Sequence, residues 1–312
     1  MSKTTVVVLG ASGMLGSMVV DVLSRDEKLQ VIATVRSEEL ARRAAQRIGE
    51  VDWRVFNITH DLDTARQLTD LGEAQWFVNA IGLTKPYTHD DNPMEIERAI
   101  VGNALFPHIL ARVAGASGGR VLQIATDCVY SGTKGRYIES DKHDALDVYG
   151  KTKSLGEALL PNMHCLRCSI IGPEPKVYAF LLEWFRRQSP GATVSGFTNH
   201  AWNGVTTLHY ARVCHGIICS GLDLPHLQHI IPSGEISKYE LLRCFSRAYQ
   251  RTDIAINATE ASYTIDRTLQ TENQALNEKI WQLAGYPECP PTLPQMVEEM
   301  AQFDYRFTGL AA

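Results

Sequence analysis

Through the first half of the chain, short runs of strand-forming residues alternate with longer stretches in which apolar side chains recur every three or four positions. Thr4 to Leu9 (TTVVVL), Gln30 to Val35, Trp53 to Phe56, Trp76 to Ala80 and Arg120 to Ala125 have strand length and are rich in β-branched or aromatic residues. Met14 to Ser24, Ser37 to Ile48, Leu62 to Leu71 and Pro93 to Val113 carry the helical spacing and fill the gaps, which gives βαβαβ order. Strands that are apolar almost throughout have no face to offer water, so they predict a parallel sheet with helices on both sides. The fold class expected is α/β, a doubly wound parallel sheet.

The pattern changes after about Arg167, where Pro173, Pro175, Pro190, Gly191 and Gly196 cut the chain into short pieces. Thr206 to Ile218 predicts a helix capped by Thr206 or Thr207, and Ser237 to Tyr249 another, opened by Ser237 and Glu240 as a capping box. Asn273 to Ala284 and Gln295 to Phe303 complete the set, the latter after a proline-rich turn. Phe180, Trp184 and Phe185 recur at helical spacing within Val177 to Arg187, which predicts a core face. Arg186 and Arg187 beside them suit a solvated helix end as well as a diphosphate. Residues 1–170 are expected to form one domain, with 205–230 returning to it. Residues 171–204 and 231–312 would form a smaller mixed α/β domain, with the ligand between the two.

Composition excludes several classes. A chain of 312 residues, 45% hydrophobic and 21% charged, is neither disordered nor fibrous. A net charge of −5 calls for no nucleic-acid or membrane-surface partner. Seven cysteines, an odd number in a long chain, predict reduced thiols and a cytoplasmic location. Cys165 and Cys168 form a C-x-x-C without a second ligand pair, so no metal is expected. His89, His108, His209 and His215 show no ligand spacing with acidic partners and read as surface or satisfied core. Glycines interrupt Thr4 to Val20 where a signal peptide would be continuous, and no other span near eighteen apolar residues is evident, so nothing is expected to cross a membrane.

Chemistry enters at Gly10-Ala-Ser-Gly13-Met-Leu-Gly16, directly after the first strand and before a helix. Such a loop lets a pyrophosphate approach backbone amides at a helix N-terminus, the hallmark of a Rossmann-type nucleotide site. At the end of the second strand, where an acidic residue would hold a ribose 2′-hydroxyl, the chain has Arg36, whose planar fork of donors suits a 2′-phosphate. Farther on, Thr126 ends a strand, and Tyr149 and Lys153 lie four apart on a predicted helix, hence on one face. A cation beside a phenol would bring its pKa, about 10, toward the range of general acid–base work.

Together, Gly10/Gly13/Gly16, Asn79-Ala-Ile-Gly82, Thr126-Asp-Cys-Val-Tyr130-Ser-Gly132 and Tyr149-x-x-x-Lys153 resemble the extended short-chain dehydrogenase/reductases. Within these the chain is most similar to the dTDP-4-dehydrorhamnose reductase-like sugar-nucleotide proteins, through Tyr137-x-Glu139-x-Asp141, Trp202 to Thr207 and Ile265 to Leu269. The resemblance implies Tyr149 as proton donor to a sugar ketone, Lys153 as ligand of the nicotinamide ribose and depressor of the Tyr149 pKa, and Thr126 as the group orienting the carbonyl. Asp127 would contact the substrate near the reacting carbon and complete the catalytic set. The cofactor would be lined by Gly10, Ser12, Gly13, Met14, Leu15, Gly16, Arg36, Asn57, Ile58, Asn79, Ala80, Ile81, Gly82, Asn103, Ala125, Cys168 and Ile171, besides Tyr149 and Lys153. Val129, Tyr130, Trp202, Asn203, Thr206 and Arg267 would hold the nucleotide sugar with Thr126 and Asp127.

Two departures stand out: Asn57 replaces the aspartate usual at the end of the third strand, and Trp202 to Thr207 lacks the family's Pro-Thr pattern. An amide still accepts a bond from an adenine amino group. The implied activity is NADPH-dependent reduction of a nucleotide-linked 4-keto-6-deoxy sugar in deoxysugar or surface-glycan biosynthesis. NADP is the expected cofactor, NAD the second choice, and a homodimer stays open. The rival readings are an NAD-dependent sugar-nucleotide epimerase or dehydratase, against which Arg36 and the Asp127-Cys128 pair weigh, and a non-catalytic nucleotide-binding regulatory subunit.

Overall fold

The computed structural model describes residues 3–59, 62–175 and 178–307. Val177, where the predicted Phe180–Phe185 segment begins, lies outside the described residues. In chain order the strands are β1 (Thr4–Leu9), β2 (Leu29–Val35), β3 (Asp52–Val55), β4 (Trp76–Asn79), β5 (Arg120–Ala125), β6 (Met163–Arg167) and β7 (Ile170–Ile171). They continue as β8 (Thr193–Phe197), β9 (His200–Trp202), β10 (Val205–Thr206), β11 (Leu227–His229), β12 (Ile236–Ser237), β13 (Ala255–Thr259) and β14 (Ile265–Asp266). Seven of them form one parallel sheet in the order β11-β6-β5-β4-β1-β2-β3. The rest make small sheets: β7 with β10, β8 with β13, and β9 between β12 and β14. The α/β class expected from the sequence is the one observed.

Helices α1 (Met14–Leu23), α2 (Glu38–Ala45) and α3 (Leu62–Asp70) connect the first four strands. Helix α4 (Pro93–Ala99), a π-helical turn (Ile100–Leu105) and α5 (Phe106–Ala116) then run end to end to β5, and α6 (Val148–Leu155) leads to β6. The second half adds α7 (Leu181–Arg186), α8 (Thr207–Ser220), α9 (Lys238–Ala248), α10 (Gln274–Leu283) and α11 (Leu293–Gln302). Capping follows side-chain chemistry. The Thr206 hydroxyl accepts from the His209 N–H to open α8, and Ser237 and Glu240 form the capping box of α9.

The unbroken apolar run of β1 is explained by two cores. Val6 and Val8 face one layer with α1 and α8, while Val7 and Leu9 face the other with α3 and α5. Three expectations need correction. The segment from Pro93 is no uniform helix, because a π turn interrupts it. It also has the length and mean hydropathy, 24 residues and 1.3, to cross a membrane, contrary to the sequence reading; its Phe106, Ile109, Leu110 and Ala114 are spent on the second core, so it is a core helix. Finally, α11 starts two residues early at Leu293, since Pro294 sits in the first turn, where its missing N–H costs nothing.

Beneath the carboxyl edge of β5 and β6 lies a buried polar knot. The Arg167 side chain, with no exposed surface, donates to Glu157 (2.5 Å), to the Tyr130 hydroxyl (2.6 Å) and to the ring nitrogens of His143 (2.9 Å) and His229 (3.1 Å). Tyr130 stacks on Tyr137 at 4.2 Å, and Glu139 accepts from the His229 N–H and the Thr271 hydroxyl. A charge taken out of water is tolerable only when paired and hydrogen-bonded. Removing Glu157 strands the guanidinium, so Glu157→Ala is expected to destabilise the chain by about 3–5 kcal/mol in urea unfolding. Glu39→Ala, which breaks only the exposed pairs to Arg42 and Arg43 on α2, should leave the midpoint unchanged; equal effects of the two variants would refute the assignment.

Candidate functional site

The sheet order reverses between β1 and β4, and ligands of doubly wound sheets bind outside the carboxyl ends of the strands at such a point. The Gly10–Gly16 loop leaves β1 there. Gly16 is a requirement of packing: a Cβ on it would lie 2.2 Å from the Gly10 carbonyl oxygen, so only glycine lets α1 start this close to the strand. Gly13 caps α1 without a side chain, and the N–H groups of the first helical turn have no acceptor within the helix. A cradle of this shape fits a pyrophosphate. Arg36 follows β2 directly and is exposed, and its guanidinium makes no hydrogen bond or ion pair among the described residues. Asn57 lies alongside, its amide nitrogen donating to the Arg36 carbonyl (3.2 Å) while the amide oxygen stays available as an acceptor.

The loop after β4 is set by its own side chains. Buried Asn79 donates to Gln123 (2.7 Å) and accepts from the Ile81 N–H (3.0 Å), which leaves Ala80, Ile81 and Gly82 at the strand end. Asn103, within the π turn, spends its amide on the Leu83 backbone, accepting at 2.8 Å and donating at 2.9 Å, and on the Thr152 hydroxyl. It ties the loop to α6.

Helix α6 carries the phenol and the ammonium. Its N-cap Asp147 accepts from the Gly150 N–H (2.7 Å) and is braced by Lys85 (2.9 Å). Gly150 allows the close approach that matters: a Cβ there would sit 2.6 Å from the Cys128 carbonyl oxygen. Tyr149 is thereby held, half-buried, against the turn in which the Thr126 hydroxyl accepts from the Cys128 N–H and donates to Asp127 (3.2 Å). The Thr126 hydroxyl is close enough to the phenol to favour its ionised form slightly. Burial, with Cys128, Asp127 and Asp147 nearby, pushes the Tyr149 hydroxyl well above its ordinary pKa. The expected easing of that proton by Lys153 is not seen, because the Lys153 ammonium is directed to the Ile124 carbonyl (2.8 Å). Burial brings Lys153 itself down to about 8.

Burial likewise raises the Asp127 carboxyl, against the pull of Arg267 and Lys238. Lys238, at the start of α9, is a member of this cluster that the sequence reading missed. Its ammonium lies 5.0 Å from the centre of the Trp202 ring, faces Asp127, and is lowered to about 8 by burial. No spacing marks it, since it is brought in by β12 pairing with β9. Trp202 is fixed by its ring N–H donating to the Ser169 hydroxyl (2.8 Å).

Several expected substrate residues have other tasks. Val129 and Tyr130 have no exposed surface and belong to a small core with Tyr137 and Leu269. Thr206 is spent capping α8 and bonding His209 (2.6 Å), and Asn203 clamps the Leu269 backbone through both amide atoms. Arg267 donates to the carbonyls of Tyr130 (2.8 Å) and Ser131 (3.2 Å) at the rim of the cluster. Cys168 and Ile171 are buried beside β6 and β7. Trp184 is exposed rather than core, whereas Phe185 is buried. Against expectation, His89, His209 and His215 each meet a carboxylate, Glu95 (2.7 Å), Glu299 (3.4 Å) and Asp26 (2.8 Å).

The dTDP-4-dehydrorhamnose reductase of Aggregatibacter actinomycetemcomitans is 28% identical over 154 residues, a match spanning 49% of this chain and 45% of that protein. Many solved structures share the fold. The dTDP-4-dehydrorhamnose reductase of Bacillus anthracis, in complex with NADP, has a TM-score of 0.71 at 18% identity, covering 96% of this chain and 98% of its own. The UDP-glucuronic acid 4-epimerase of Bacillus cereus, in complex with UDP-glucuronic acid and NAD, has a TM-score of 0.70 at 16% identity, covering 97% and 99%. The family model described as the RmlD substrate binding domain matches residues 4–301, nearly the whole length, and the chain belongs to that family.

Proposed function

We propose that the chain is an NADPH-dependent reductase of a nucleotide-linked keto sugar, of the 4-keto-6-deoxy type that dTDP-4-dehydrorhamnose represents. The observation that carries this is the placement of a phenol: Gly150 lets α6 press Tyr149, half-buried, against the turn that holds the Thr126 hydroxyl, with Lys153 one helical turn along the same face. A bound reduced nicotinamide supplies the hydride. Thr126 orients the ketone oxygen by hydrogen bonding, and Tyr149 delivers the proton to that oxygen as charge develops there. Lys153, charged below its pKa of about 8, holds the ribose, and Arg36 pairs with a 2′-phosphate at the end of β2. Asp127, Lys238, Trp202 and Arg267 form the wall facing the nucleotide sugar, whose diphosphate finds two cations there. The seven cysteines are all free, four of them buried, which suits a reducing, cytoplasm-like compartment.

Three measurements test this reading. Tyr149→Phe should lower kcat by about 10²–10⁴-fold while NADPH binding in a fluorescence titration is unchanged. A variant that turns over like the native chain would remove Tyr149 from the mechanism. Arg36→Asp should abolish a preference for NADPH over NADH, and tight NAD that survives purification of the native chain would instead favour an epimerase. Because Lys153 and Lys238 are cations only below about 8, kcat/KM is expected to fall as pH rises through that value. A profile flat for about two pH units above neutrality would contradict the roles given to both ammoniums.

A further inference from the structure

His215 and Cys219 stand four residues apart on α8, so one helical turn brings them to the same face. Asp26, in the turn between α1 and β2, reaches the same point from another element. Its Oδ2 lies 2.8 Å from His215 Nε2 and 3.6 Å from Cys219 Sγ, and Nε2 lies 3.4 Å from Sγ. The carboxylate is pre-oriented, because Oδ1 accepts from the Lys28 N–H at 2.9 Å. The nearby Arg25 does not compete for it, being bound to Asp21 and to the Asp304 carbonyl.

These separations match a coordination polyhedron. With Zn–S about 2.3 Å and Zn–N or Zn–O about 2.0–2.1 Å, tetrahedral angles put the S–N and S–O edges at about 3.6 Å and the N–O edge at about 3.4 Å. Both sulfur edges are already in place, and the N–O edge opens by about half an ångström once an ion replaces the shared proton. His215 and Asp26 remain partly exposed and Cys219 is exposed, so a fourth position opens to water through the hollow lined by Val22, Glu27 and Lys28. Thiolate with imidazole selects zinc over magnesium or calcium, which prefer oxygen alone.

We propose that Asp26, His215 and Cys219 bind a zinc ion, with water as fourth ligand, at the amino edge of the sheet opposite the Gly10–Gly16 loop. On binding, the thiol releases its proton to solvent and the Cys219 sulfur bonds the metal in place of its contact with Asp26. The ion ties α8 to the α1–β2 turn and so fastens the helix that follows the Trp202–Thr206 segment.

The test is titration of the reduced full-length chain with cobalt(II), followed by displacement with zinc and by thermal unfolding. One ion should bind with a near-ultraviolet thiolate-to-cobalt band and tetrahedral visible absorption, both erased by zinc, and zinc should raise Tm. Cys219→Ser should remove the band and weaken zinc binding by more than about tenfold, the least cost seen when even an outer partner of a site is lost. Asp26→Asn should also weaken zinc binding, whereas Cys289→Ser, at the other exposed cysteine, should change neither the band nor the affinity. Failure of the native chain to saturate, or a band that persists in Cys219→Ser, would overturn the proposal.

Discussion

A guanidinium without access to water imposes its geometry on everything around it, and here that group is Arg167. It stands at the last position of β6, and its partners come from four different segments: Tyr130 from the turn after β5, His143 from the loop before α6, Glu157 from just beyond α6, and His229 from the end of β11. None of these partners can move without leaving a charge or a dipole unpaired in the interior. The turn holding Thr126 and the helix holding Tyr149 are thus fixed to one ion, which lies close enough to Lys153 for Glu157 and Arg167 to act on its charge. Rigid support of this kind is what orienting a carbonyl demands, since an error of an ångström is costly in rate.

Electrostatics at the site runs the other way. Burial moves four groups of the cluster toward their neutral forms: Tyr149 and Asp127 are raised, Lys153 and Lys238 lowered. At neutral pH the two lysines, at about 8, still carry their charge. On the function proposed above, the two ammoniums with Arg267 and Arg36 would be the complement of the diphosphates that nucleotide sugars and dinucleotides bring.

The sheet was legible because a strand buried on both faces is apolar along its buried stretch, and Val6 to Leu9 or Trp76 to Val78 show it directly. The Gly10–Gly16 loop was legible for a similar reason, since close backbone approach leaves no alternative to glycine. Residues whose roles depend on long-range pairing were not. Lys238 comes to Asp127 only because β12 joins β9, and Tyr130 faces inward because Tyr137 returns to stack on it. Motif resemblance placed Val129, Tyr130, Asn203 and Thr206 on the substrate, yet a motif preserves scaffold and contact residues alike. What separates the two is whether the polar atoms are already bonded within the fold, as those of Asn203 and Thr206 are, and that is a property of the folded chain.

The π-helical turn at Ile100–Leu105 has a bearing on how this chain tolerates change in length. Each residue advances an α-helix by about 100°, so a π turn is equivalent to one residue inserted into an otherwise regular helix. Deleting one residue there and restoring regular winding would leave α4 and α5 in the same angular relation, because the wider π turn already absorbs the extra residue. What would be lost is the bulge itself, where the Asn103 amide meets the Leu83 backbone, while Phe106 and Leu110 kept their places in the core. The two halves of that helix therefore share one angular register, and the extra residue serves the loop after β4 rather than the packing on the sheet.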